Sequence, residues 1–302
     1  MSDFVQQQNC ICGFTTSDSW VVLSPIEQSI KKKIEAVGTP LKDWDINIYR
    51  GVLTGCNEAF IIDSEKRDEI LANCQTEDER QRTAELIRPI LRGRDVQRFN
   101  YDWANTYIIA TLPSRHYNIE DYPSIKNFLL SFGMERLEQT GKVHVINKEK
   151  IKARKKTNNK WFETQDSISY WDDFNKPKIV WKRVGSILRF SFDNTGIMAL
   201  DSTCFATGEH IEFLVALLNS RMGHYLLKDS PKTGTGDLLI SVQAIEPLKV
   251  PVPSEKQEKS IKQIMFEIMN GNKQKEKDLN KFIYDLFKLS PDEVEFIQQN
   301  YS

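Results

Sequence analysis

Residues 50–63, RGVLTGCNEAFIID, contain the turn around which the first strands of the fold are arranged. Before this stretch, isoleucine alternates with a polar residue over positions 46–48, which predicts a strand. Gly51 and Gly55 bracket a turn, because glycine adopts backbone conformations that are costly for other residues. Residues 59–62 are apolar and predict a second short strand. We therefore expect a strand, a glycine-containing turn and another strand.

Helix signals stand on both sides of this stretch. Ser24 before a proline is typical of a helix start, and the helix is expected to end at Gly38. Thr76 and Glu79 have the spacing of a capping box, which predicts a second helix that runs toward residue 87. Further patterns predict helices over residues 121–139 and 209–227, and strands over residues 106–111, 178–181, 188–192, 197–205 and 238–252.

The C-terminal part has a different pattern. Ser254 follows two prolines and is typical of a helix start. Apolar residues then recur at helical spacing over residues 261–269 and 279–287, and Ser290 begins a last short helix. These signals predict a helical hairpin. The apolar stripe of this hairpin has two explanations of equal weight. It packs internally, or it docks against the preceding lobe or a catalytic partner.

Together these patterns predict an α/β (α+β) fold with a mixed, largely antiparallel sheet and flanking helices, followed by a C-terminal helical hairpin. We expect two domains. The first covers residues 1–253, with its folded part beginning at about residue 20, and the second is the helical segment at residues 254–302.

Composition excludes several classes of protein. With 40% hydrophobic and 27% charged residues, the chain resembles globular rather than disordered proteins. No apolar run approaches the ~20 residues that span a bilayer, so we expect a cytoplasmic protein without membrane contact. The five cysteines, an odd number, indicate no disulfide framework. Only Cys10 and Cys12 lie close together, and no histidine stands at ligand spacing from them, so no metal site is expected.

The sequence lacks the motifs of several catalytic chemistries. It has no Walker A loop, no Asn/Asp-Pro-Pro-Tyr or -Phe tetrapeptide of a DNA amino-methyltransferase, and no Asp/Glu-x-Lys of a metal-dependent nuclease. His-Glu-x-x-His and Gly-x-Ser-x-Gly are also absent. We therefore expect no catalytic residues and no cofactor in this chain. The competing hypothesis is an enzyme with a dispersed active site that uses His116, His210 or Asp237.

Positive charge is concentrated in one region, although the whole chain has a formal charge of −1. Residues 142–192 contain 13 Lys and Arg against 5 Asp and Glu, which gives +8 and leaves −9 for the remainder. Residues 141–175 have little periodicity and are expected to form loops. A solvated charged loop is one explanation, and contact with nucleic acid is the other.

Three sets of basic residues are candidates for DNA contacts. Arginine side chains fork onto guanine and grip phosphate, and lysines can follow a phosphate backbone. The sets are Arg92, Arg94 and Arg98; Lys150, Lys152, Arg154, Lys155 and Lys156; and Lys178, Lys182 and Arg183. For the first set, surface ion pairs are the alternative.

The stretch at residues 50–63 resembles the TaqI-like C-terminal specificity domain of restriction and modification enzymes. Its matching residues are Gly51, Thr54, Gly55, Asn57, Ala59, Phe60 and Asp63. Further segments resemble the family in the same order, at residues 90–99, 176–181, 217–220, 248–253 and 284–297. The resemblance extends over roughly residues 20–300.

The resemblance implies that the chain reads double-stranded DNA for a bacterial restriction-modification system. It also implies a partner domain or subunit that carries an adenine methyltransferase with S-adenosylmethionine, or a nuclease with Mg. The basic segment at residues 142–160 would be the variable part that selects the bases, whereas Gly51 and Gly55 would shape a turn. The alternative is a protein-interaction scaffold whose basic surface docks an acidic partner.

Overall fold

The computed structural model describes residues 23–301, which divide into two units. The sheet unit consists of residues 46–215 and 231–242, and the helical unit consists of residues 23–45, 216–230 and 243–301. The sequence places a boundary after residue 253, whereas in the structure the helices beyond that residue share a unit with the first described helix. Cys10 and Cys12 lie outside the described residues.

The sheet unit contains two four-stranded sheets. Sheet I has the spatial order Phe190–Asp193, Lys178–Lys182, Thr203–Gly208 and Ile46–Arg50, and all its neighbours are antiparallel. Sheet II has the order Met198–Ala199, Ile87–Leu91, Thr106–Ile109 and Ile61–Asp63, with only the first pair parallel. Two-stranded pairs join Val184–Gly185 to Leu238–Leu239 and Val143–Ile146 to Glu149–Lys152. The predicted α/β class with a mixed, largely antiparallel arrangement is confirmed, but the strands are shared between two sheets.

Several helices of the sheet unit pack against sheet II. The α-helices of this unit are Asn57–Phe60, Ser64–Ala72, Glu77–Leu86, Pro123–Leu130 and Met134–Leu137, and its 3₁₀ helices are Pro113–Arg115, Ile119–Asp121 and Trp171–Asn175. Two more helices, Ile211–Leu218 and Val242–Ile245, cross the boundaries between the units along the chain.

Sheet II is buried on both faces, because neighbouring residues of a strand point to opposite sides of a sheet. Ile108 joins a core cluster that includes Val180 and Phe205 of sheet I. The next residue, Ile109, joins a second cluster that includes Ile125 of the flanking helix. Sheet II therefore lies between sheet I and the helices.

The helical unit begins with the helix Pro25–Val37, which Ser24 and Glu27 cap with reciprocal hydrogen bonds. Its other α-helices are Arg221–Leu226, Glu255–Met269, Lys275–Leu286 and Pro291–Asn300. The 3₁₀ helix Leu41–Asp43 and the paired strands Thr39–Pro40 and Lys249–Val250 complete it. Among residues 23–301, no helix is long and apolar enough to cross a membrane.

The predicted C-terminal helical hairpin is confirmed by the packing of Glu255–Met269 against Lys275–Leu286. The apolar stripe is buried at Ile261, Met265 and Ile283. These residues belong to the helical unit, and their helices contact others of the same unit. Internal packing is therefore the alternative that the structure supports for this stripe.

Two predicted helices are interrupted where local backbone conformation overrides the apolar pattern. The helix expected over residues 121–139 is divided at Gly133, which has a φ of 85°. The helix expected over residues 209–227 is divided at Ser220, whose hydroxyl accepts the N–H of Gly223 and starts a new helix. A side-chain cap can end one helix and begin another without a change in hydrophobicity.

Three predicted strands are also corrected. Residues 59–60 end the short helix Asn57–Phe60 instead of opening a strand. The strand expected over residues 197–205 is two strands in different sheets, and the one expected over residues 238–252 contains the helix Val242–Ile245. Short apolar runs do not distinguish a strand from a buried helical turn, which explains these errors.

Candidate nucleic-acid interface

The predicted motif turn is held by close backbone contacts. A Cβ on Gly51 would lie 2.1 Å from the carbonyl oxygen of Leu200, so glycine is required there. Gly55 has a φ of 74°, a conformation that favours glycine. The hydroxyl of Thr54 donates to Oδ1 of Asn57 at 2.6 Å. These contacts give the four motif residues a structural role in the turn.

Arg154, predicted to contact DNA, is buried and binds backbone carbonyls instead. Only 4% of this residue is exposed. Its guanidinium donates to the carbonyl oxygens of Leu137, Thr54 and Glu163 at 2.8, 2.9 and 2.7 Å. The ring of Phe60 lies 5.0 Å away, and burial lowers the pKa of Arg154 to about 10, which still leaves it charged at neutral pH. The prediction is wrong for Arg154, because the protein interior already uses its donors.

Lys178 is also buried, and its predicted contact with DNA is wrong. Its side chain is 0% exposed, and its ammonium group donates to the carboxylate of Asp193 and to the carbonyl oxygen of Phe174. Asp193 accepts further hydrogen bonds from the hydroxyls of Tyr101 and Thr195 at 2.9 and 2.7 Å. Burial alone would raise the pKa of Asp193, but the charge and hydrogen bond of Lys178 and the hydrogen bonds from Thr195 together outweigh it, so the pKa is lowered. This pair stabilises sheet I and cannot reach a phosphate.

Four of the predicted residues converge at one end of sheet I, around Ser202. The backbone N–H of Arg183 donates to the carbonyl oxygen of Ser202 at 3.0 Å, and the N–H of Gly93 donates to its hydroxyl at 3.0 Å. A Cβ on Gly93 would lie 2.9 Å from Cγ of Lys182, so the two segments are in close contact. The sheet-end cluster formed in this way consists of Arg92, Arg94, Lys182 and Arg183.

The side chains of the sheet-end cluster differ in their freedom. Arg94 and Lys182 are exposed, and no ion pair within residues 23–301 involves them. Nε and Nη2 of Arg92 each donate to the buried carboxylate of Asp95 at 3.2 Å. Arg183 is half-buried, and its Nε has no hydrogen-bond partner among the described residues. Arg94 and Lys182 are therefore the members best placed to meet a ligand.

Acidic groups lie beside this end of sheet I. Nη2 of Arg50 lies 3.4 Å from Oδ2 of Asp201, although the two residues are 151 positions apart in the chain. Burial raises the pKa of Asp166, while Arg50 and Lys155 oppose that rise and Asp201 adds to it. The sequence analysis missed Arg50 and Asp201, since no linear signal connects residues so far apart.

The strands Val143–Ile146 and Glu149–Lys152 form a β-hairpin that we call the basic ribbon. The sequence predicts a loop here, which is wrong; the alternation of the two valines with polar residues was the available signal. At its base, the N–H of Gly141 donates to the carbonyl oxygen of Arg154 at 2.9 Å. The buried arginine thus anchors the ribbon. The exposed predicted residues on the ribbon and just after it are Lys150, Lys152, Lys155 and Lys156.

Arg98, the remaining predicted contact, lies beside the edge strand of sheet I. Its guanidinium is 5.3 Å from the ring of Phe99. The backbone of Phe99 bonds to Phe190 and Phe192 of the strand Phe190–Asp193 at 2.9 and 3.0 Å. Arg98 is exposed at this position.

The residues of the enzymatic alternative lie in three different segments. His116 ends the 3₁₀ helix Pro113–Arg115, and His210 directly precedes the helix Ile211–Leu218. Asp237 accepts a hydrogen bond from the hydroxyl of Thr235 at 3.3 Å. In the part of the chain that the structure describes, no group of three or more His, Cys, Asp or Glu could hold a metal ion.

The family described as the TaqI-like C-terminal specificity domain matches the chain over residues 88–247. This range includes the sheet-end cluster and the basic ribbon, and it begins after the motif turn. No curated protein matches the chain.

Two solved structures are similar to this chain. The type IIL restriction-modification enzyme MmeI in complex with DNA has a TM-score of 0.53 and 12% identity over 87% of this chain and 36% of that chain. The type IIG restriction endonuclease BpuSI has a TM-score of 0.47 and 12% identity over 89% of this chain and 34% of that chain. The chain therefore spans about a third of the length of either protein. The similarity to MmeI concerns the fold alone.

Proposed function

Because the chain belongs to the family of TaqI-like C-terminal specificity domains, we propose that it recognises a specific sequence of double-stranded DNA for a restriction-modification enzyme. The observation that carries this proposal is the meeting of separate basic segments on the sheet unit. The sheet-end cluster joins residues from two segments that are about ninety positions apart, and the basic ribbon belongs to the same unit.

The charges of this surface suit the two parts of DNA recognition. Phosphate contacts set the position of a protein on the duplex, and contacts with base edges specify the sequence. Lys155, Lys156 and Lys182 are exposed and suit phosphate. Arg94 is exposed without an ion pair among the described residues, so its fork of donors is available for guanine O6 and N7. Arg92 contributes less, since Asp95 already holds it.

Catalysis belongs to a separate domain or subunit in this proposal. That partner would carry an adenine methyltransferase, a nuclease or both, together with S-adenosylmethionine and Mg. The absence of the common methyltransferase and nuclease motifs from the sequence supports this division.

The test is selection of duplexes from a random pool by the full chain, with the bound fraction sequenced at low and at moderate salt. We expect an enriched motif. Arg94→Lys keeps the charge but removes the fork, so it should relax one position of that motif. Arg80→Lys, at an exposed site on the helix Glu77–Leu86, is the matched control and should leave the motif unchanged.

The opposite result has a clear meaning. If the bound duplexes remain random, both for the chain alone and with a methyltransferase partner of this family added, sequence recognition is not the function of the chain. The same motif from the Arg94→Lys variant would instead remove Arg94 from the reading surface.

A further inference from the structure

The basic ribbon has one face with an unusual composition. Val143 pairs directly with Lys152, and Val145 pairs directly with Lys150. Residues two apart on a strand share a face, so these four side chains lie together on one side of the ribbon. Val143 is 57% exposed and Val145 is 68% exposed, and both lysines are exposed. The face therefore offers two apolar groups on one strand beside two positive charges on the other.

The other face attaches the ribbon to the protein. His144, Ile146 and Ile151 are half-buried there. The imidazole of His144 lies 2.5 Å from Oε1 of Glu138, and Arg154 anchors the base of the hairpin. The valines and lysines are therefore not needed to hold the ribbon in place. They are held outward by residues on the opposite side.

The tip of the ribbon carries a charge where the backbone favours glycine. Asn147 and Lys148 both have positive φ, at 51° and 71°, as expected for a two-residue turn of type I′. Asparagine tolerates this conformation, whereas the second position is normally glycine. A lysine there is strained, and strained residues accumulate where function requires them. Lys148 therefore places a positive charge at the leading end of the ribbon.

The dimensions of the ribbon suit the major groove. Two paired strands have a backbone spacing of about 4.8 Å, and the major groove is about 12 Å wide, enough for a two-stranded ribbon with its side chains. The minor groove is about 6 Å wide and too narrow. In the major groove, thymine presents a C5-methyl group, which is the one apolar feature that aliphatic side chains can contact there.

We propose that the basic ribbon enters the major groove, with Val143 and Val145 against thymine methyl groups and with Lys148, Lys150 and Lys152 on the flanking phosphates. This inference rests on the proposed function and names the element and the base that it reads. The ribbon is thus a specificity element in addition to the sheet-end cluster.

Thymine-to-uracil replacement tests the inference, because it removes only the methyl group. The full chain is first used to select a motif, and each thymine of that motif is then replaced by uracil. We expect about a fourfold loss of affinity for each methyl that is contacted, the value of one buried methyl group. The double variant Val143→Ala/Val145→Ala should bind thymine and uracil duplexes equally. Val252→Ala, at another exposed valine, is the matched control.

Lysine variants test the phosphate contacts separately. Lys150→Gln/Lys152→Gln should retain the motif while the dependence of affinity on salt becomes shallower by about two contacts. Lys259→Gln, at an exposed site on the helix Glu255–Met269, is the control. Lys148→Gly should weaken duplex binding even though it relaxes the turn. Thermal unfolding of every variant checks that the fold is retained.

The outcomes separate the two proposals. If the unaltered chain enriches a motif but uracil and the valine variants have no effect, the ribbon inference is overturned and the proposed function stands. If the unaltered chain enriches no motif, either alone or with a methyltransferase partner of this family added, the proposed function fails and the inference falls with it. A Lys148→Gly variant that binds more tightly would also contradict a phosphate contact at the tip.

Discussion

Adjacent residues in this chain can have opposite roles. Arg154 is 4% exposed and satisfies carbonyl oxygens from three segments, whereas Lys155 is exposed to solvent. In the sequence both belong to one basic run. The difference arises because only one of the two side chains points to the interior at the base of the basic ribbon.

Arg154→Leu should unfold the protein more easily, because it leaves buried carbonyl oxygens without donors. Each unsatisfied buried group costs about 1–3 kcal/mol, so we expect a loss of at least about 3 kcal/mol in the free energy of unfolding. Urea denaturation measures it. Lys155→Ala is the neighbouring control and should change stability by less than about 0.5 kcal/mol. It should instead weaken duplex binding. Equal stabilities of the two variants would contradict these roles.

At the scale of elements, one buried carboxylate links two helices of the helical unit. Glu293, which is 3% exposed, accepts hydrogen bonds from Nζ of Lys33 at 2.6 Å and from the hydroxyl of Ser29 at 2.7 Å. It also accepts the N–H of Ser290 at 2.6 Å, which caps its own helix. Burial raises the pKa of Glu293, but these partners outweigh it and the pKa is lowered. One carboxylate therefore ties Pro291–Asn300 to Pro25–Val37.

Glu293→Gln should lower the free energy of unfolding at pH 7 by about 1–3 kcal/mol, because a charged acceptor with several donors is replaced. Since the pKa of the folded state is below the usual 4.5, this stabilisation is complete above pH 4.5 and is lost as the pH falls through the lower, folded value. The two proteins should therefore converge in stability under acid conditions. Urea denaturation across this pH range measures the convergence. Glu295→Gln, an exposed control on the same helix, should behave like the unaltered chain.

At the scale of the whole molecule, charge is distributed unevenly. The net charge is −1, yet the sheet unit contains the basic stretch of residues 142–192. A protein with this distribution should bind DNA through one surface and not coat it. The competing scaffold hypothesis places an acidic protein on that surface instead.

Salt dependence distinguishes these hypotheses. Between 50 and 200 mM salt, we expect duplex affinity to fall about 3.5-fold for every phosphate contact, as counterions are released. Fluorescence anisotropy with a labelled duplex measures the slope. Polyglutamate of matched charge should compete poorly, because it lacks the spacing of duplex phosphates. Equal competition by polyglutamate would favour the scaffold.

The sequence by itself determined the helix caps at Ser24, Ser254 and Ser290, the α/β class and the basic character of residues 142–192. These features follow from interactions between residues a few positions apart. Only the tertiary structure decided that Arg154 and Lys178 are interior residues, while the segments that carry Arg94 and Lys182 meet around Ser202. Whether a side chain is buried, and which segments meet, depends on the pairing of strands that are distant in the chain. The residue type alone does not show whether a basic side chain faces solvent or a buried carboxylate.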